Sequence, residues 1–142
     1  FRPRRGTLWY SAPEHICLGP QTTSSDMWSL GCVLAELANK RPHLMGDNDH
    51  HQMRLICNTR GRPTGQALRV ARSWPNWSEV WPSNTEQWGD NVCKQLGRFG
   101  IALLDKLLNF SAVQRPTALQ ASEAPFFYPQ TGEYTIEGMD LR

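Results

Sequence analysis

The sequence predicts an all-α chain, and three observations lead there. Apolar residues recur at helical spacing in two long stretches, 27–37 and 96–108. Hydroxyl and carboxylate residues precede the helical segments and prolines follow them, as helix caps and stops do. No segment reads as a strand, and no internal repeat is present.

The bulk numbers fit one compact domain. The chain has 142 residues, 39% of them hydrophobic and 20% charged, enough apolar material for a real core. No apolar run approaches the roughly 20 residues that span a bilayer, so no membrane role is expected. The chain opens Phe1-Arg2-Pro3-Arg4-Arg5, without the apolar stretch of a signal peptide and without a Met, which reads as a fragment. Net charge is +2, too small to imply a nucleic-acid partner. Three of the twelve arginines lie in the first five residues, so the basic character is local. Cys17, Cys32, Cys57 and Cys93 are widely spaced with no C-x-x-C, which argues against a zinc ribbon or a thioredoxin-type site. Free thiols without a leader suggest a reducing, intracellular compartment, cytoplasmic or nuclear.

Taken in order, residues 1–12 read as an extended loop. Pro13 suits the first turn of a short helix over Glu14–Leu18, and Gly19-Pro20 ends it. Thr22-Thr23-Ser24-Ser25 offer N-caps for a long helix, with Asp26 in its first turn favoured by the helix dipole. Leu30, Val33, Leu34 and Leu37, with Met27 one turn earlier, form its apolar stripe. Trp28, Cys32, Ala35 and Ala38 make most of the remaining surface apolar too, as in a central helix. Lys40-Arg41 and Pro42 end it. Asp47 or Asp49 caps a third helix carrying Met53, Ile56 and Cys57, which stops at Gly61 and Pro63. Residues 64–92 lack periodicity and hold Trp74, Trp77, Trp81 and Trp88, read as plugs that pin a long loop to the core. A fourth helix carries Leu96, Phe99, Leu103, Leu104, Leu107 and Leu108. Gly97 and Gly100 each cost about 1 kcal/mol in a helix interior, which puts its regular start near Gly100. Thr117 caps a fifth helix to about Glu123, and Pro125 stops it. Residues 130–142 form a loosely ordered polar tail.

Five motifs in order carry a resemblance. Gly6-Thr7-Leu8-Trp9-Tyr10-Ser11-Ala12-Pro13-Glu14 resembles the end of a protein kinase activation segment, in the form typical of cyclin-dependent kinases. Ser25-Asp26-Met27-Trp28-Ser29-Leu30-Gly31-Cys32 resembles the kinase helix that follows. Gly46-Asp47-Asn48-Asp49 with Gln52 resembles the next turn and helix, Gln114-Arg115-Pro116-Thr117-Ala118 the Arg-bearing loop, and Ala124-Pro125-Phe126-Phe127 the closing segment. The chain is thus similar to the helical part of a kinase C-lobe, with the N-lobe and catalytic loop absent. A partial kinase domain is expected over 1–129, with 130–142 as the tail.

The resemblance implies roles. Thr7 contacts the catalytic aspartate and lysine. Leu8, Trp9, Tyr10 and Ser11 line the pocket for the substrate residue after the phosphoacceptor. Glu14 pairs with Arg115, and Asp26 accepts hydrogen bonds from the catalytic-loop backbone. ATP and Mg²⁺ are implied for the intact parent kinase and none for this fragment. The implied partners are a protein substrate, the missing N-terminal half and a cyclin-like activator.

Phosphotransfer uses a Gly-rich loop, a strand lysine, a catalytic-loop Asp and Asn, and a metal-binding Asp-Phe-Gly. The sequence holds none of these, and Lys40, Lys94 and Lys106 are its only lysines. The fragment alone is expected to be inactive, with no catalytic, cofactor or metal residue of its own. Ser11 stands where the family usually carries Arg, Arg2 where it carries the activating threonine, Ser111-Ala112 where it carries Asp-Pro, and Ala124 where it carries His.

Three other patterns read better without function. Arg60-Gly61-Arg62-Pro63 has the core of a minor-groove hook, but it is short and sits at a helix stop. His43, His50, His51 and Cys57 match no common metal spacing. Asp47-Asn48-Asp49 lacks the Gly and bidentate Glu of a calcium loop. The expectation is therefore a fragment of a serine/threonine kinase. The alternative is a non-catalytic truncated lobe that acts as an interaction module, and an exposed apolar face is expected in either case.

Overall fold

A computed structural model describes residues 8–17, 19–78 and 87–128. They form α1 (Pro13–Ile16), α2 (Thr23–Asn39), α3 (Asp49–Arg60), α4 (Gly65–Arg72), α5 (Asp90–Leu107) and α6 (Ala118–Ser122). Short 3₁₀ turns lie at Ala112–Gln114 and Pro125–Phe127. No strand occurs among the described residues. The tail at 130–142, Thr7 and Trp81 fall outside them.

The core forms where α2 crosses α5, the most extensive helix pair of the fold. Trp28, Cys32 and Ala35 of α2 are buried with Leu96, Leu104 and Leu108 from the α5 side, and Leu8, Ala12 and Ile16 join the same cluster. A second cluster sets Met27 against Leu103, Leu107 and Ala121.

Here the expected stripe of α2 is corrected. Of the expected residues Met27 is buried and Leu34 packs on the core, but Leu30, Val33 and Leu37 are 48%, 43% and 73% exposed, while Trp28, Gly31, Cys32, Ala35 and Ala38 face inward. A helix apolar nearly all round gives periodicity no single face to choose. The smaller residues take the inside because they let α5 approach closely, and Trp28 fills the remaining volume.

Local signals explain most boundaries. Ser25 Oγ accepts the Thr22 N–H at 3.2 Å as α2 begins. Lys40 takes a left-handed φ of 59° as it ends. The cap of α3 is Asn48, whose Oδ1 accepts the His51 N–H at 2.9 Å, rather than either neighbouring aspartate. Asp47 instead contacts His51 Nδ1 at 3.1 Å. Thr117 and Gln120 bond reciprocally at the start of α6, at 2.9 and 3.2 Å.

The stretch read as structureless contains α4, which buries only Ala71. Ala67, Val70 and Ala71 do recur at helical spacing, but over only two turns, and the long stretch around them has no such pattern. Trp74 does plug the core at 4% exposure. Trp88 stacks near His43 at 4.8 Å and donates to Asp105 Oδ1 at 2.9 Å. α5 runs from Asp90, but Gly97 (φ 59°, ψ −177°) divides it into two helical segments, so the regular run into Leu107 starts just after Gly97, close to the expected start near Gly100, and a further segment from Asp90 precedes it.

Candidate functional site

The segment after Thr7 turns sharply onto the core. Ser11 N–H donates to Leu8 C=O at 3.0 Å. Leu8 is 4% exposed and belongs to the core, so it anchors the turn from below. Trp9 and Tyr10 are half-buried and Ser11 is buried. The structure therefore brings Trp9 and Tyr10 to the surface side of the turn and sends Leu8 inward.

Each of those two residues is gripped by a different helix. Trp9 Nε1 donates to Gly46 C=O at 3.0 Å, and Gln52 Nε2 donates to Trp9 C=O at 3.4 Å. Tyr10 C=O accepts from Ser29 Oγ at 2.8 Å, and Tyr10 hydroxyl donates to Glu36 Oε2 at 2.5 Å. That bond, with burial and the Glu36 charge, pushes the Tyr10 phenol up to about 12, so it remains a donor throughout neutral pH. A cleft of about 140 Å³ beside the turn is lined by Tyr10, Ser11, Gln21, Ser25 and Ser29 among others.

Glu14 follows on α1. Arg115 meets it across 101 positions of sequence with a bidentate pair, Nη1 to Oε1 at 2.7 Å and Nη2 to Oε2 at 2.8 Å. The Arg115 side chain is fully buried and that of Glu14 is 17% exposed. Arg115 also donates to the carbonyls of Ser24 at 2.9 Å, Asn109 at 2.8 Å and Phe110 at 3.3 Å, and it lies over the Trp28 ring at 5.1 Å. Ser25 Oγ adds a bond to Glu14 Oε1 at 2.9 Å. Burial alone would raise the Glu14 carboxyl, but the Arg115 hydrogen bonds and charge outweigh it and hold the carboxyl below its usual range.

Asp26 is not brought into this network. It is exposed in the first turn of α2, with Gln21 Nε2 at 3.5 Å. Other charges serve local contacts. Arg60 pairs with Asp105 at 2.9 Å and Arg62 lies over Trp77 at 5.8 Å, so both arginines of the hook-like stretch are engaged within the fold.

Of the partners of the turn, Gln52 and Ser29 lie within two of the motifs but are given no role there, and Glu36 lies in none.

Among the described residues no group of three or more His, Cys, Asp or Glu side chains converges to hold a metal ion. No described helix is long and apolar enough to cross a membrane.

Comparison with known proteins agrees with the architecture. Residues 1–127 match the protein kinase domain family. Cyclin-dependent kinase B2-1 of Oryza sativa subsp. japonica is 37% identical over 123 residues, covering 85% of this chain and 37% of its own length. A probable cyclin-dependent serine/threonine-protein kinase of Dictyostelium discoideum is 37% identical over 142 residues, covering 89% and 20%. A serine/threonine-protein kinase of Kluyveromyces lactis is 37% identical over 127 residues, covering 87% and 19%. The chain thus spans between 19% and 37% of the length of these relatives. With helices alone among its described residues and a family match over nearly its whole length, the chain belongs to the protein kinase domain family.

Proposed function

We propose that this chain is the substrate-facing and lobe-stabilising part of a serine/threonine protein kinase of the cyclin-dependent type. The observation that carries the reading is the Glu14–Arg115 pair. It ties the end of the activation-segment motif to the Arg-bearing loop, and it fixes the turn at residues 8–11 on a rigid base. Trp9, Tyr10 and Ser11 face the substrate residue after the phosphoacceptor, and Leu8 anchors them. Thr7 serves the catalytic residues of the parent kinase. With Ser11 in place of Arg, the cleft beside the turn accepts substrates without a strict demand for proline. The kinase domain runs over 1–129, and 130–142 is its tail.

Phosphotransfer with ATP and Mg²⁺ belongs to the longer protein, whose remaining half docks on α2 and supplies the backbone partners of Asp26. The exposed Leu30, Val33 and Leu37 support that docking. The same stripe favours the second reading, in which the lobe acts as an interaction module without catalysis. A cyclin-like activator and an intracellular site of action follow from the kinase reading.

The test compares this chain with the full-length protein that carries it, using Mg-ATP and serine- and threonine-containing peptides. The kinase reading expects transfer by the full-length protein and none by the chain alone. A full-length protein that transfers no phosphate but binds partners through α2 would favour the interaction module.

A further inference from the structure

The turn at residues 9–11 is held on its α3 side by one buried amide. Gln52 is 0% exposed. Its Oε1 accepts the Gly46 N–H at 2.8 Å, and its Nε2 donates to Trp9 C=O at 3.4 Å. Trp9 Nε1 closes the ring by donating to Gly46 C=O at 3.0 Å. A Cβ at Gly46 would collide with Gln52 Oε1 and fall 2.7 Å from its Cα and N, so only glycine permits the approach.

An amide buried beside Met53, Ile56 and Cys57 is costly unless both its ends are bonded. Here both ends serve backbone outside α3, one at Gly46 and one at the turn. An apolar residue of the same length would fill the core equally well. What it would lose is the fixed height of the Trp9 carbonyl. Tyr10 C=O is held separately by Ser29 at 2.8 Å, so successive peptide units are located from α3 and from α2.

We propose that Gln52 is a positioning residue for the protein substrate. Through Gly46 and Trp9 it sets the path of the turn against which the residue after the phosphoacceptor lies. This rests on the substrate-facing reading of residues 8–11.

The test uses the full-length kinase carrying this chain, with Gln52→Met and Gln52→Glu. Met removes both bonds. Glu retains an acceptor for Gly46 and loses the donor to Trp9. In the Met variant the KM for a peptide substrate should rise roughly tenfold, the scale of one or two lost buried hydrogen bonds, with kcat within about twofold. The KM for ATP should stay unchanged, and the Glu variant should raise the peptide KM in the same direction. If Gln52→Met does not fold, Gln52→Glu, which loses only the bond to Trp9 C=O, makes the same comparison. An active wild type whose peptide KM is unmoved in the variants, with only the yield of active enzyme lowered, assigns Gln52 a purely structural role and overturns the inference alone. A wild type that phosphorylates no peptide overturns the substrate-facing reading and this inference with it.

Discussion

Arg115 has five N–H groups, and the fold supplies an acceptor to each: two carboxylate oxygens of Glu14 and the carbonyls of Ser24, Asn109 and Phe110. Breaking a buried pair by removing one partner costs about 3–5 kcal/mol. Arg115→Ala should therefore lower unfolding stability on that scale in urea titrations, and Arg115→Lys should fail to restore it, because an ammonium has three donors and no fork. Equal stability of the lysine variant would refute the bidentate account. Among the described residues, two groups also shape the response to acid. Glu14 is held below its ordinary 4.5. His43 is held below its ordinary 6.5, by burial first and then by the Arg60 and Arg41 charges. Each binds a proton more readily unfolded than folded, so stability falls as pH drops. The His43 share is present above about pH 6.5 and is lost as pH falls from there through its folded value. The Glu14 share is present above about pH 4.5 and is lost below. His43→Phe should flatten the urea midpoint between pH 7 and 5, and a slope equal to wild type would remove His43 from the explanation.

At the scale of elements, α5 depends on Gly97, whose φ of 59° and ψ of −177° lie in a region essentially reserved for glycine. Gly97→Ala should cost about 1–3 kcal/mol in thermal or urea unfolding. Gly89→Ala should cost far less, since a Cβ there meets nothing within 4 Å and its φ is −61°. Equal effects would show that the break is not a constraint. The stripe of α2 gives a second prediction. Leu30→Ser with Leu37→Ser should raise the solubility of this chain with little loss of melting temperature, because both side chains are already in water. A large fall in melting temperature would place them in a core instead. These elements also mark where sequence reasoning stops. Caps and stops located α1, α2 and α6 because the groups they satisfy are local. The choice of face on α2 was not legible, since apolar residues surround the helix and only packing against α5 decides. α4 carries a short period, Ala67, Val70 and Ala71, but its two turns are easily lost in a long stretch without another pattern. Gly97 carried a sign of disruption, but a single broken residue between two helical segments looks the same in sequence as a late start.

At the scale of the whole molecule, the order of five motifs made the family legible before any packing was known. Contacts that are 37 to 101 positions apart were legible only where a family motif names both ends, as for Glu14 and Arg115. Trp9, Gly46 and Gln52 all lie within the motifs, but the motifs do not name their bonds, which run to backbone atoms that every residue possesses. The central claim is that this lobe works within a longer kinase. The most direct measurement is the sequence of the native transcript upstream of the Phe1 codon. The account predicts an in-frame stretch of about 150 residues with a Gly-rich loop, a strand lysine, His-Arg-Asp and Asp-Phe-Gly. A start codon or an in-frame stop just upstream, with no such stretch, would contradict it and leave the lobe as an interaction module.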